Sequence, residues 1–142
     1  ALAVVMMDID YFKKVNDVYG HICGDKVLVN VANLLKKTVR GIDLVSRFGG
    51  EEFIVLIPET DLKGVQLLAE RMRLEIADTP IEHNGKSFHI SISIGVSMID
   101  ANNGDFEGMI NQADIALYKA KDKGRNRVEL YDSGLHDDYL PR

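Results

Sequence analysis

The stretch RFGGEEFIVLIP, residues 47–58, decides how the rest of the chain is read. Arg47 and Phe48 close one strand-like run, LVSRF, and EEFIVLIP opens another, with Gly49 and Gly50 between them. Such a pair of runs predicts a tight antiparallel hairpin, because glycine reaches positive φ without strain. Pro58 ends the second strand. Two glutamates directly after the glycines raise a chemical question: whether this turn borders something that needs carboxylates.

Outward from the hairpin, LAVVMMDID (residues 2–10) is a continuous apolar run ending in acids, as expected of a central strand buried on both faces. YFKKVNDVYGH reads as a short helix with Phe12 and Val15 inward, stopped by Gly20. GDKVLVNVANLLKKTVR carries Val27, Val31, Leu34, Leu35 and Thr38 at helical spacing. After the hairpin, DLKGVQLLAERMRLEIAD is an amphipathic helix with Asp61 as its N-cap. HNGK holds an Asn84-Gly85 hairpin turn before the strand SFHISISIGVSMI. DFEGMINQADIALYKAKDKG is a helix closed by Gly124, NRVELYD a last short strand, and SGLHDDYLPR a polar tail. The order β-α-α-β-β-α-β-α-β, with a possible small hairpin before the penultimate long strand, makes the sheet mixed. It predicts an α/β (α+β) sandwich of ferredoxin-like kind, helices on one or both faces.

At 142 residues, 46% hydrophobic and 27% charged, the chain is one globular domain with a single sizeable core. A formal charge of −5 provides no basic field, so no DNA or RNA partner is expected. A nucleotide needs only a few placed cations and remains open. ALAVVMM is too short to cross a bilayer and lacks a basic flank, so no membrane contact is expected. One cysteine, Cys23, forms neither an internal disulfide nor a thiolate cluster, which suits a reducing cytoplasm. The chain enters a buried-type strand almost at once after Ala1, which suggests an excised fragment of a longer protein.

Four groups of residues carry possible chemistry, and each has an ordinary structural reading beside it. Asp8 and Asp10 are two apart on a strand and leave the same face; they suit a cation between them, or a helix cap and a sheet edge. Glu51 and Glu52 point to opposite faces if both are in strand, so one lands near Asp8 if the hairpin pairs with the first strand. Carboxylates from neighbouring strands are hard oxygen ligands of the kind Mg²⁺ takes, with water and phosphate completing its shell. Bare glycines would let a phosphate or sugar approach the backbone, or simply make the turn. Lys121 and Arg125, four apart at a helix end, reach one anion together or merely complement the helix dipole. Asn16 and Asp25 are an amide and a carboxylate, the groups that read a guanine edge, or else two helix caps.

Taken together, DIDYFKKVND, YGHICGD, DLVSRFGGEEF, SIGVS and ADIALYKAKDKGRN resemble the GGDEF-domain family, the diguanylate cyclases, in family order through residues 1–131. The remaining residues, 132–142, are the C-terminal polar tail. The signature reads Gly49-Gly50-Glu51-Glu52-Phe53, with glutamate where the family name has aspartate. The resemblance implies a nucleotidyl-cyclase palm-type mixed sheet, with the hairpin carrying the GGEEF motif. It implies condensation of two GTP into cyclic di-GMP with release of two pyrophosphates. Asp8 and Glu51, with the carbonyl of Ile9, would hold two Mg²⁺ ions, or Mn²⁺ in their place. Asn16 and Asp25 would read guanine. The backbone at Tyr11, Phe12 and Lys13, with Lys121 and Arg125, would hold the β- and γ-phosphates beside Gly49 and Gly50. Glu52 and Asp10 receive no separate role.

The same resemblance implies that catalysis needs a second GGDEF domain, since each domain is half of an active site. An upstream sensory or regulatory domain would bring the two together. The family domain is expected to begin one helix earlier, with a D-x-L-T-type stretch that this sequence lacks. Arg40-Gly41-Ile42-Asp43 fits the family's R-x-x-D product site, which Arg71 would join, and through which cyclic di-GMP inhibits the enzyme. Read locally, Arg40 and Asp43 are a turn-spanning ion pair. The competing reading of the whole chain is a catalytically idle module that binds GTP or cyclic di-GMP. A weaker one is a polymerase-like palm acting on another nucleotide, against which Asp25 speaks.

Overall fold

The computed structural model describes residues 2–99 and 104–132. Its elements run β1 (Leu2–Ile9), α1 (Phe12–Tyr19), α2 (His21–Thr38), β2 (Leu44–Gly49), β3 (Glu52–Pro58) and α3 (Leu62–Asp78). They continue as β4 (Ile81–His83), β5 (Lys86–Phe88), β6 (Ile92–Met98), α4 (Phe106–Asp122) and β7 (Val128–Leu130). Five strands form one sheet in the order β2-β3-β1-β6-β7, and β4-β5 is a separate small hairpin. β1 pairs antiparallel with both β3 and β6, while β7 lies parallel to β6 after the α4 crossover. The expected mixed sheet with helices on both faces is therefore the architecture. The C-terminal tail from Ser133 onward lies outside the described residues.

β1 owes its central place to its sequence: Ala3 to Ile9 are all buried, which only a strand covered on both faces requires. Ala3, Val5, Met7 and Ile9 face the larger core with Val27, Val31 and Leu35 of α2 and Val65, Ala69, Met72 and Ile76 of α3. Val4 and Met6 face the smaller core, made with Ile54 and with Met109, Ala113 and Leu117 of α4. α4 rides directly on β6 at Gly95. A Cβ there would sit 2.2 Å from the Ala113 carbonyl oxygen and 2.2 Å from the Leu117 nitrogen, so only glycine permits the approach.

Three local expectations change. α2 begins at His21 instead of near Gly24, because Gly20, at φ 91°, separates it from α1 and leaves no loop between them. SFHISISIGVSMI is not one strand: Lys86–Phe88 turn back on β4 through Asn84-Gly85, both left-handed, and β6 starts only at Ile92. The break at 89–91 is held by its own bonds, His89 Nδ1 to the Ala77 carbonyl at 2.9 Å and Ser91 Oγ to Asp10. The third change concerns the opening hairpin. Gly49 is the last residue of β2, paired with Glu52, and Gly50-Glu51 form the turn, with a bulge at Phe48.

Candidate active site

Asp8 is the last-but-one residue of β1 and is 7% exposed. Register places Glu52 of β3 opposite it on one side and Ser93 of β6 on the other. Glu51 occupies the turn, where its carbonyl accepts from the Ile9 N–H at 3.3 Å and ties the hairpin tip to the end of β1. Three carboxylates thus gather at one corner of the sheet. Burial pushes the Asp8 carboxyl above the usual carboxylate range, and the negative charges of Glu51 and Glu52 push the same way. Lys121 opposes them: its Nζ, from the last turn of α4, donates to Asp8 Oδ2 at 2.5 Å.

Asp8, Ile9 and Glu51 line a hollow of about 190 Å³. Tyr11, Phe12 and Lys13 enter it from the start of α1, and Lys121 and Arg125 from the end of α4. The first turn of a helix offers N–H groups with no partner inside the helix. Here no side chain caps them, and the N-cap residue Tyr11 is itself left-handed at φ 57°. An uncapped helix start beside a lysine and an arginine is an anion site in waiting. The Arg125 guanidinium carbon lies 4.9 Å from the centre of the Tyr11 ring. Arg125 and Asn126 are both left-handed, at φ 66° and 49°.

Asp10 explains how that bend is held. Its carboxylate is 5% exposed and accepts from Ser91 Oγ and Ser93 Oγ, each at 2.6 Å, and from the Asn126 N–H at 3.0 Å. It locks the end of β1, the start of β6 and the loop after α4 together. Arg73 of α3 completes the grip by donating from Nη1 to Asn126 Oδ1 at 2.9 Å.

A second hollow of about 350 Å³ adjoins the first and shares Phe12, Lys13 and Glu51 with it. Asn16 and Asp25 line it, with Gly50 at its rim. His21, Leu28 and Arg47 line it too, three residues the sequence reading passed over. For two of them a signal was present, since His21 lies inside YGHICGD and Arg47 two places before Gly49. Arg47 Nε bonds the Gly50 carbonyl at 2.9 Å and steadies the turn. Gly24 was also passed over. A Cβ there would fall 1.8 Å from Asn16 Oδ1, so the glycine lets the Asn16 amide lie across α2.

Gly49 and Gly50 have no left-handed φ, and a Cβ on Gly50 would meet nothing within 4 Å, that on Gly49 only Glu52 Oε1 at 3.8 Å. The backbone does not demand glycine at either place, contrary to the expectation that positive φ explains them. What they leave is open space, although only Gly50 borders the second hollow. Of two larger hollows, the one of about 500 Å³ adjoins the first at Asp10 and Tyr11 and the one of about 540 Å³ shares no lining residue with either; neither contains Asp8, Glu51, Asp25 or Lys121.

Away from both hollows, Arg40 Nη2 donates to Asp43 Oδ1 at 2.8 Å and to the Pro58 carbonyl at 2.6 Å. The Asp43 side chain is fully shielded while that of Arg40 is 45% exposed. Arg40 therefore links the approach to β2 with the end of β3. Arg71 is exposed on α3.

The oxygen-rich corner fits a hard divalent ion. Among the described residues no three His, Cys, Asp or Glu side chains form a self-sufficient metal cage. Mg²⁺ is ordinarily held by one or two carboxylates together with water and substrate phosphates. Asp8 and Glu51 beside an uncapped helix start match that division of labour.

The profile of the family described as "Diguanylate cyclase, GGDEF domain" matches residues 1–127. The chain belongs to the GGDEF family. It is 42% identical over 134 residues to diguanylate cyclase A of Treponema denticola, covering 94% of this chain and 36% of that protein. The response regulator PleD of Caulobacter vibrioides is 41% identical over 129 residues, 89% of this chain and 28% of its own length. The chain thus spans between about a fifth and a little over a third of these and other curated relatives. The active GGEEF domain of a diguanylate cyclase from Vibrio cholerae superposes with a TM-score of 0.86 at 36% identity, over 93% of this chain and 83% of that one. The GGDEF domain of DgcB from Caulobacter crescentus, solved in complex with c-di-GMP, gives 0.86 at 30%, over 91% and 77%. Among the described residues of this GGDEF domain no helix is long and apolar enough to cross a membrane.

Proposed function

We propose that this GGDEF domain is a Mg²⁺-dependent diguanylate cyclase that joins two GTP molecules into cyclic di-GMP. The observation that carries the reading is the pair of adjoining hollows sharing Phe12, Lys13 and Glu51. One side offers an amide and a carboxylate for guanine, and the other offers carboxylates, cations and a helix start for a metal triphosphate. In each condensation a 3′-oxygen bonds to the α-phosphorus of the other GTP, the α–β bridging bond breaks, and pyrophosphate leaves. When bound, two Mg²⁺ (or Mn²⁺) ions would polarise the α-phosphate and lower the pKa of the hydroxyl.

The chain's own groups do the rest. Asp8, the Ile9 carbonyl and Glu51 hold the metals. Asn16 and Asp25 orient the base. The N–H groups of the first turn of α1, with Lys121 and Arg125, hold the β- and γ-phosphates and fix the leaving group in line. One domain has one such cleft, and a ring with two phosphodiester links needs two clefts face to face. A second GGDEF domain is therefore a partner, and its approach is the step on which a sensory or regulatory domain would act. We place the work in the cytoplasm, with the GTP pool. Arg40, Asp43 and Arg71 form the product site through which cyclic di-GMP inhibits.

The test uses the domain fused to a dimerising coiled coil, given GTP and Mg²⁺. Release of pyrophosphate and cyclic di-GMP is expected, and its absence from a folded dimer overturns the reading. Glu51→Ala should lower turnover by at least about a hundredfold while leaving the melting curve in place. Unchanged turnover would remove Glu51 from the site.

A further inference from the structure

The cation that Asp8 bonds in this structure is the chain's own. Lys121 Nζ lies 2.5 Å from Asp8 Oδ2, and the two side chains are 23% and 10% exposed. In the proposed function both residues have other duties, Asp8 toward the metal and Lys121 toward the triphosphate. A metal at Asp8 and a triphosphate at Lys121 would each compete with this bond. A divalent ion held by Asp8 would bond a carboxylate oxygen directly, and an ammonium already at that carboxylate competes for its place and repels the ion. The lysine is suited to leaving: a point charge on a flexible four-carbon stem, anchored at the mouth of the same hollow.

We propose that Lys121 is a placeholder that neutralises Asp8 until the metal arrives and is then displaced onto the nucleotide phosphates. The inference rests on the metal and phosphate roles proposed above. Without a cation, the corner formed by Asp8, Glu51 and Glu52 holds three carboxylates, one of them buried. Lys121 relieves that repulsion in the empty domain. Metal alone must expel Lys121 into water, away from its carboxylate partner, and triphosphate alone must draw it from a buried carboxylate. Metal and triphosphate together meet neither obstacle, since the displaced ammonium finds the incoming phosphates. The two ligands therefore bind with positive coupling, each raising affinity for the other. A domain built this way stays nearly empty of free metal and responds to the metal–nucleotide complex.

The experiment measures Mn²⁺ binding to the domain without nucleotide, by the loss of the free-ion electron paramagnetic resonance signal. Wild type is compared with Lys121→Met, Lys121→Gln, Arg125→Met and Asp8→Asn, each checked for folding by circular dichroism. Lys121→Met should tighten Mn²⁺ binding on the order of tenfold, since an adjacent opposite charge shifts a carboxylate's proton affinity by one unit or more. Lys121→Gln should move the same way and stands in if the methionine variant does not fold. Arg125→Met removes the same charge from the same hollow, but Arg125 lies over Tyr11 instead of on Asp8, so its effect should be much smaller. Unchanged or weaker Mn²⁺ binding in both Lys121 variants overturns the placeholder. Equal tightening in the Arg125 variant overturns it as well, because then only the general field of the hollow matters. If Asp8→Asn leaves Mn²⁺ binding intact, the failure lies in the metal assignment itself.

Discussion

Asp8 shows how the proposed function and stability oppose each other at one residue. Its carboxyl is raised chiefly by burial, helped by Glu51 and Glu52 and opposed by Lys121. A carboxyl raised by folding stabilises the fold fully below its unfolded pKa, and that contribution is lost as pH rises through the folded value. At neutral pH an ionised Asp8 therefore costs stability. Asp8→Asn should melt higher than wild type at pH 7 without metal, and the gap should close toward acid, where Asp8 is protonated. Thermal melts at the two pH values check this; a lower melting temperature for the variant at pH 7 contradicts it. Gly50 makes the converse case, a residue with no structural demand on it. Gly50→Ala should fold with stability within about 0.5 kcal/mol of wild type. Its methyl would stand at the rim of the second hollow, so binding of a fluorescent GTP analogue should weaken. Unaltered binding would mean that the space above Gly50 is not used.

At the scale of elements, the site depends on joints more than on the elements themselves. Asp10 accepts three hydrogen bonds from two separate segments, and through Asn126 it fixes the left-handed turn that carries Arg125. Asp10→Ala would leave the buried Ser93 hydroxyl, the half-buried Ser91 hydroxyl and the Asn126 N–H without that partner. It should cost about 3 kcal/mol, read as a lower denaturant midpoint. Binding of inorganic tripolyphosphate should weaken in parallel, because Arg125 and Asn126 lose their support. A midpoint unchanged from wild type would contradict the joint. The packing of α4 on β6 at Gly95 belongs to the same logic: it sets how far along the sheet α4 ends, and so where Lys121 and Arg125 emerge.

For the molecule as a whole, the two proposed sites lie on different parts of the surface. Arg40 and Asp43 line neither of the two adjoining hollows. Arg40 is held open to solvent by a shielded Asp43 and by the Pro58 carbonyl, a braced guanidinium that can stack on a base and bond its edge. Arg40→Ala should weaken inhibition by added cyclic di-GMP at least about tenfold in the dimerised enzyme, while the initial rate is retained. Inhibition as strong as in wild type would remove Arg40 from the product site.

Much of this was legible in the residues. The unbroken apolar run of β1 announced a strand covered on both faces, the two apolar runs around Gly49-Gly50 announced the hairpin, and Asp61 announced the start of α3, where it accepts from the Gly64 N–H at 2.7 Å. These are local signals, written in periodicity, caps and turn residues. The motifs likewise named the chemical groups that line the two adjoining hollows, because amides, carboxylates and cations keep their chemistry wherever they are placed. Other facts came only from the tertiary structure. Register decided that Glu52, not Glu51, stands opposite Asp8, since a shift of one residue exchanges the faces of a strand. The packing of two helices decided that Gly24 exists for Asn16. The docking of α4 on the sheet decided that Lys121 meets Asp8 across 113 residues of sequence. No local pattern encodes such meetings, because they are fixed by how whole elements pack and not by the spacing within any one of them.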